Sequence, residues 1–270
     1  MAGLYPPQAR WKWDEDLGSR WQPFPIQTVP HDYDGMLNPD SYCKRGKEEI
    51  EKVYSSPLVK QYVKTIQPTL DYVKDNTGLP EVDIIKAEQV FDSLLIEKEY
   101  NLKLPSWVDR HVYTQLQEIS DKSFVFSAMN REVQRLRTGL LLKEMIENFA
   151  KPDFGGKRLY VYSTHDTQLS VFLSALDVYN GLAPPFGSAV MLEIYQNQTD
   201  EPYLRTFYLN DTASERPIEL ELKSCPQTWT NGAKKAVCTL TSFQQTVGDL
   251  IPGDWEEECR NVSEVSADGE

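Results

Sequence analysis

A His-Asp pair at residues 165 and 166 stands where phosphate chemistry would be expected. It follows a short β-rich run, Arg158 to Ser163, and precedes an apolar helical pattern that begins at Thr167. In open α/β sheets the ligand crevice lies beyond the carboxyl ends of the strands, and a helix N-terminus attracts anions through its N–H groups and dipole. An imidazole there can donate a hydrogen bond to a phosphoryl oxygen, and a neighbouring carboxyl group can protonate a departing alkoxide.

The same pair also has a purely structural interpretation. His165 is then a hydrogen-bonded loop residue, and Asp166 is the N-cap of the following helix, because Asp is among the most favoured N-cap residues. A bare His-Asp dipeptide does not distinguish these two roles. Of the other histidines, His31 lies beside Pro30 in a predicted surface loop, and His111 lies in a helical block.

The elements around the pair change from helix to mixed helix and strand along the chain. Residues 1–42 are rich in Pro and Trp and are predicted as extended, ordered coil. Residues 44–150 have the apolar spacing of helices, with a kink expected at Pro68 and the strongest helix at Asn130–Ala150. Beyond them we predict a strand at Arg158–Ser163, a helix at Thr167–Tyr179 and strands at Ala189–Tyr195, Tyr203–Leu209 and Ile218–Leu222. A strand–helix–strand unit beside a helical block indicates an α/β fold.

Composition excludes several classes of protein. Hydrophobic residues make up 40% of the 270 residues and aromatic residues 11%, which is enough for a buried core and too much for a disordered chain. The formal net charge of −13 would repel a phosphate backbone, so we predict no nucleic-acid partner. Mean hydropathy is −0.51, and no run approaches the roughly 20 apolar residues of a membrane span, so none is predicted.

Blocks spread along the chain carry a family resemblance. They are Trp21-Gln22-Pro23, Leu104-Pro105-Ser106-Trp107, Val161 to Thr167, Ala175 to Leu182 with Pro184-Pro185, and Ile251-Pro252 with Asp254-Trp255. Together these blocks closely resemble the histidine acid phosphatases, in the branch of the prostatic and lysosomal enzymes. The matching blocks extend from about Leu4 to Cys259, which is nearly the whole chain.

The resemblance implies a fold and an activity. The fold would be a single domain over residues 1–270, with a mostly parallel sheet flanked by helices and a helical cap. Residues 44–150 would form the helical block with the cap, 151–259 the α/β part and 260–270 a loose acidic tail. The family hydrolyses phosphate monoesters at acidic pH through a phosphohistidine, so His165 would bind phosphate and Asp166 would donate the proton.

The resemblance also limits the ligands of this chain. It implies a small phosphomonoester or a phosphopeptide as ligand, with no cofactor and no metal, and it leaves a homodimer open. A runner-up of another class is a secreted, non-catalytic binding protein on a phosphatase scaffold.

The sequence departs from the family at the nucleophile. The attacking histidine of the family lies in an Arg-His-Gly-x-Arg-x-Pro motif, which is absent from these 270 residues. Arg110-His111 is the only Arg-His pair, and Val112 follows it instead of Gly. We expect the chain to be truncated at its N-terminus, without the first strand or strands and a helix of the family. Since a nucleophile and an arginine clamp contribute several orders of magnitude in rate, we predict a chain that is inactive or nearly so.

Cysteines and glycosylation sequons predict a secreted or lysosomal protein, although no signal peptide is apparent at Met1. The four cysteines allow three full pairings, none has metal-ligand spacing, and four buried thiols are the alternative. The family pattern implies the pairs Cys43–Cys259 and Cys225–Cys238. The sequons begin at Asn197, Asn210 and Asn261.

Two arginines on the strongest predicted helix need a separate interpretation. Arg135 and Arg137 fall on its polar face. We predict that both are solvated there, in preference to a role in phosphate binding.

Overall fold

The computed structural model describes residues 26–151, 156–196, 201–211, 213–230, 233–236 and 238–260. The Pro- and Trp-rich segment before residue 26, the sequons at Asn197 and Asn261 and the tail from residue 261 lie outside these ranges. Within them the helices are α1 (Lys44–Tyr54), α2 (Pro57–Thr77), α3 (Ile84–Glu99), α4 (Arg110–Ala128), α5 (Arg131–Ala150), α6 (Asp166–Ala175), α7 (Leu240–Val247) and α8 (Trp255–Glu258). The strands are β1 (Ala189–Gln196), β2 (Pro202–Leu209), β3 (Ile218–Leu220), β4 (Gln227–Thr230), β5 (Ala233–Ala236) and β6 (Cys238–Thr239).

Local sequence signals set the ends of the long helices. The side chains of Ser56, Asp83, Asp109 and Asn130 each accept a backbone N–H from the first turn of α2, α3, α4 and α5. These bonds satisfy donors that a helix start otherwise leaves without a partner. Gly78 ends α2 with φ +73°, a left-handed conformation that glycine adopts without a Cβ clash. The helices predicted between residues 44 and 150 are confirmed, and α2 runs unbroken through Pro68.

Strand β2 is the centre of the larger sheet. It pairs with β1 over its whole length and with β3 and β6 over shorter stretches, while β4 and β5 form a separate hairpin. All of these pairs are antiparallel, so the prediction of a mostly parallel sheet is wrong for the described residues. A parallel pair needs a long crossover connection, and the five residues 197–201 between β1 and β2 are too few for one.

The run from Arg158 to Ser163 does not form the predicted strand. It has no regular secondary structure, and Leu159 and Val161 are 44% and 61% exposed. None of the described strands pairs with it, and a strand requires hydrogen-bonding neighbours at its edge. The helix that follows ends at Ala175 rather than at Tyr179, with Asp177 in a left-handed conformation at φ +58°.

The hydrophobic core lies in two main clusters. One lies among helices α1 to α4 and includes Val73 and Leu116. The other lies between α5, α6, α7 and the sheet and includes Leu142, Phe172 and Phe243. Phe172 and Ala175 belong to this second cluster, so the C-terminal half of α6 is packed in the core. None of the described helices is long and apolar enough to cross a bilayer.

The described residues contain two disulfides, one between distant parts of the chain and one within a short loop. Cys43 is bonded to Cys259, and Cys225 is bonded to Cys238, so both predicted pairings are confirmed. The first joins the start of α1 to the end of α8. Beside it the Trp255 indole N–H donates to the Leu136 carbonyl oxygen over 2.7 Å.

The two arginines of α5 are not solvated as predicted. Arg137 is 4% exposed, and its Nη2 lies 2.6 Å from Asp40 Oδ2. Arg135 pairs with Glu258. The prediction is wrong because distant segments, residues 34–41 and 248–258, cover this face of α5, which the helical period alone cannot reveal.

Candidate active site

A cavity of about 1420 Å³ surrounds the N-terminus of α6. It is lined by residues 156–166, by β1 and by the loop 184–188. Apolar side chains at the end of α5, among them Met145 and Phe149, also line it. His165 and Asp166 both line this cavity, so the structure places the predicted pair in a concave site.

His165 and Asp166 occupy the first positions of α6. His165 is the N-cap residue, in an extended conformation, and Asp166 is the first helical residue. The structural interpretation of Asp166 as N-cap is therefore wrong by one position. Both residues are exposed, and the Asp166 Oδ1 accepts a hydrogen bond from the Thr167 N–H over 2.7 Å. An imidazole and a carboxylate thus stand side by side at the positive end of a ten-residue helix.

Two acidic side chains of α3 interact electrostatically with Asp166. Burial raises the pKa of Glu88, and the charges of Asp166 and Asp92 raise it further, while a hydrogen bond with Ser123 lowers it. The pKa of Asp92 is also raised, by burial and then by Asp166. Carboxylates from α3 and α6 therefore share one electrostatic environment, although they lie far apart in sequence.

Helix α4 holds the start of the loop 184–188, which lines the cavity. The Asp121 Oδ1 accepts a hydrogen bond from the Ala183 N–H over 2.8 Å, just before the residues that line the cavity. Burial raises the pKa of Asp121, and the Ala183 bond opposes that shift. Tyr179, which precedes the loop, has a pKa raised first by burial and then by Tyr208, Asp121 and Asp166.

Two side chains tie the turn itself to other elements. Thr164 Oγ1 donates to the Leu37 carbonyl oxygen over 2.7 Å. Gln168 Nε2 donates to the Arg137 carbonyl oxygen over 2.6 Å, and Gln168 is 2% exposed. Thr164 directly precedes the His-Asp pair, and Gln168 is the second residue after it.

The remaining predicted residues lie away from this cavity. His111 is an exposed residue in the first turn of α4 and is not part of the lining. His31 is exposed as predicted, with its Nδ1 3.0 Å from Asp32 Oδ1. Neither disulfide lines the cavity, and Asn210 is half-buried immediately after β2.

A family profile matches most of this sequence. The profile of the histidine phosphatase superfamily (branch 2) matches residues 1–209, about three quarters of the chain. The chain belongs to this family.

Individual relatives of this branch are acid phosphatases. The chain is similar to the lysosomal acid phosphatase of Xenopus laevis, with 30% identity over 97% of this chain and 60% of that protein. It is 33% identical to the prostatic acid phosphatase of Bos taurus and 32% identical to that of Homo sapiens, covering 65% and 67% of their lengths. The chain therefore spans about 60 to 67% of these relatives.

Solved structures support the same histidine phosphatase fold. The phytase of Klebsiella sp ASR1 aligns with 91% of this chain and 71% of its own, with a TM-score of 0.62 and 16% identity. The phytase of Citrobacter braakii aligns with 80% of this chain and 67% of its own, with a TM-score of 0.55 and 14% identity. The predicted α/β, histidine-phosphatase-like fold class is confirmed, apart from the direction of the described strands.

Sequence reasoning missed several residues that act on this candidate site. Glu88, Asp121 and Gln168 carry no local signal, since each acts on a partner that is distant in the chain. Thr164 belongs to the matched block Val161 to Thr167, so its position was available, but its bond to Leu37 was not.

Proposed function

We propose that His165 and Asp166 form the phosphate-binding and proton-donating part of an acid phosphatase site for phosphate monoesters. The observation that carries this proposal is their adjacent position at the N-terminus of α6, exposed in one cavity. Family membership supports it, because the relatives named above are acid phosphatases.

In this proposal each group has one task. The imidazole of His165 donates a hydrogen bond to a phosphoryl oxygen, and the helix dipole adds to the attraction for the anion. As the bond from phosphorus to the ester oxygen breaks, the carboxyl group of Asp166 gives its proton to the departing alkoxide. The group that forms the new bond to phosphorus is the attacking histidine of the family, whose Arg-His-Gly motif does not occur in this sequence. These 270 residues should therefore bind phosphate but hydrolyse esters at a rate near the background.

The test combines a binding and a rate measurement. Calorimetric titration with inorganic phosphate should show binding that weakens at least about ten-fold in His165→Ala, with His111→Ala as the control on an exposed histidine outside the cavity. Hydrolysis of p-nitrophenyl phosphate at about pH 5 should stay near the uncatalysed rate. Binding that is equal in both variants would overturn the site. Substantial turnover that disappears in His165→Ala would overturn the predicted inactivity.

A second candidate is a secreted binding protein that keeps the phosphatase scaffold without catalysis. The absence of an Arg-His-Gly sequence favours it, since phosphate binding then has no covalent step to follow. Sequencing of the transcript upstream of Met1 separates the two candidates. An in-frame segment that encodes Arg-His-Gly-x-Arg-x-Pro would support the enzyme, and an in-frame stop codon followed by a working start at Met1 would support the binding protein.

We also propose a secreted or lysosomal location. The two disulfides are compatible with an oxidising compartment. Glycans at Asn197, Asn210 and Asn261 would lower the mobility of the secreted protein in gel electrophoresis, and enzymatic deglycosylation should restore it.

A small phosphomonoester and a phosphopeptide carry the same phosphoryl group, so titration with each identifies the preferred ligand. Light scattering tests the homodimer.

A further inference from the structure

We propose that Thr164 and Gln168 are positioning residues that hold the His165–Asp166 turn through a closed ring of side-chain contacts. The inference rests on the proposed function of that pair. Both residues border the same cavity, but in this role neither would touch the ligand. Their task would be to fix the backbone from which the imidazole and the carboxyl group project.

The need for such anchors follows from the pair itself. The side chain of His165 makes no capping hydrogen bond within the described part of the chain, and both His165 and Asp166 are exposed. Their orientation is therefore set mainly by their backbone. A site built on a fixed backbone loses less conformational freedom on binding a ligand than a mobile one.

Thr164 supplies the first anchor. It directly precedes His165, and its Oγ1 donates to the Leu37 carbonyl oxygen over 2.7 Å. Leu37 is held in turn, because its own N–H donates to Asp34 Oδ1 over 2.9 Å and its side chain packs on the second core cluster. The hydroxyl of Thr164 thus joins the segment before α6 to a packed segment.

Gln168 supplies the second anchor from inside α6. It is 2% exposed, and its amide orientation is set by chemistry, since the Arg137 carbonyl oxygen can only accept and so must face Nε2. The Gln168 Oε1 is buried without a hydrogen-bond partner among the described residues. A buried amide with one unmade bond is a poor choice for stability alone, because a leucine of similar size would leave no unpaired acceptor. Compared with an apolar residue at this position, Gln168 contributes the hydrogen bond to the Arg137 carbonyl oxygen.

An ion pair closes the ring. Asp40 lies three residues after Leu37, and its Oδ2 accepts a hydrogen bond from Arg137 Nη2 over 2.6 Å. The segment that holds Thr164 is therefore tied to the helix that holds Gln168. Because one bond is made by Thr164, before the pair, and the other by Gln168, after it, a movement of that turn must break one of the bonds of the ring.

Four variants test this role in the intact 270-residue chain. Thr164→Val removes the hydroxyl at nearly constant volume, and Thr164→Ser restores it. Gln168→Leu removes the amide. Ser170→Ala is the matched control, because Ser170 is a buried residue of α6 whose hydroxyl donates only to Thr167 within the same helix.

Two readouts separate positioning from stability. Thr164→Val and Gln168→Leu should each weaken the binding of inorganic phosphate about five-fold, the effect expected for one lost hydrogen bond. In the ligand-free protein both should also shift and broaden the NMR signal of the His165 imidazole. Thr164→Ser should restore both the phosphate affinity and the His165 signal, and Ser170→Ala should leave both unchanged.

The outcomes distinguish this inference from the function it rests on. An unchanged His165 signal in both Thr164→Val and Gln168→Leu would overturn the positioning role, whatever happens to stability. Wild-type protein that does not bind phosphate would overturn the proposed function. The NMR signal of His165 would still show whether the ring of contacts positions the turn. If Gln168→Leu fails to fold, the comparison of Thr164→Val with Thr164→Ser decides whether the positioning role holds, since only serine keeps the hydroxyl.

Discussion

Arg135 and Glu258 form a two-point ion pair, with Nε 2.7 Å from Oε2 and Nη2 2.8 Å from Oε1. The pair joins α5 to α8, close to the disulfide from Cys43 to Cys259. Arg135 Nη1 also donates to the carbonyl oxygen of Asp249. The hydrogen bond from Arg135 holds the pKa of Glu258 below its usual value. The C-terminal segment is thus fixed to α5 by charge as well as by a covalent bond.

Replacement of Arg135 by lysine should remove the two-point geometry. We expect Arg135→Lys to lower the free energy of unfolding by about 1 kcal/mol near neutral pH. The lowered pKa of Glu258 means that its stabilisation is complete above the usual glutamate value and is lost as pH falls through the lowered value. Urea denaturation should therefore show a smaller difference from wild type at about pH 3 than at about pH 7.

An exposed pair of the same geometry is the control for Arg135. Arg205 bonds to Glu219 through two nitrogens, and both side chains are more than a third exposed. Arg205→Lys should cost less than Arg135→Lys, because solvent screens the pair more strongly. An equal loss for Arg135→Lys at acidic and neutral pH would contradict the electrostatic explanation.

Removal of the Glu88 charge should stabilise the protein only at higher pH. Burial, then Asp166 and Asp92, raise the pKa of Glu88, so the folded state binds this proton more tightly than the unfolded chain. Wild type therefore loses stability as pH rises from the usual glutamate value through the raised one. Glu88→Gln should match wild type at about pH 4 and exceed it at about pH 7 in free energy of unfolding. The control is Glu99→Gln, an equal charge change at the exposed end of α3, and a gain of the same size there would refute the prediction.

Gly139 should not tolerate alanine, although alanine is the better helix former. A Cβ at this position would lie 2.5 Å from Pro252 Cδ and would also meet the Leu250 carbonyl oxygen. We expect Gly139→Ala to lower the free energy of unfolding by about 2 kcal/mol, the usual cost of overpacking. Gly46 lies in α1, where a Cβ would be 3.4 Å from Cys43 Sγ, so Gly46→Ala should be neutral or stabilising by up to about 1 kcal/mol. Thermal unfolding of both variants tests the contrast, and a stable Gly139→Ala would show that the 250–252 segment can move away.

The two disulfides should contribute unequally to stability. The sequence separation is 216 residues for Cys43–Cys259 and 13 for Cys225–Cys238. On the loop-entropy relation these closures stabilise by about 5 and about 3 kcal/mol. Replacement of both cysteines by serine should thus lower the free energy of unfolding more for the first pair than for the second. Urea denaturation under non-reducing conditions measures both, and the reverse order would mean that strain or residual structure outweighs chain entropy.

Helix starts and stops could be predicted because they depend on neighbours within a few residues. Asn130 and Gly78 act on the first or last turn of their own helix, and the helix at Asn130–Ala150 is predicted from the sequence. The strand predicted at Arg158–Ser163 failed for the opposite reason. Apolar, β-branched and aromatic residues indicate extended chain, but a strand exists only where another strand supplies hydrogen bonds.

The sequence by itself determined the family, the His165–Asp166 pair at the start of a helix and, through the family pattern, the two cysteine pairs. It did so because these features depend on residue type and on matching blocks along the chain. Only the tertiary structure decided the contacts around that pair. Asp40 covers Arg137, Leu37 receives the Thr164 hydroxyl, and Glu88 shares the electrostatic environment of Asp166. These contacts join segments that are 78 to 127 residues apart. Packing brings such segments together, and a local pattern carries no information about it.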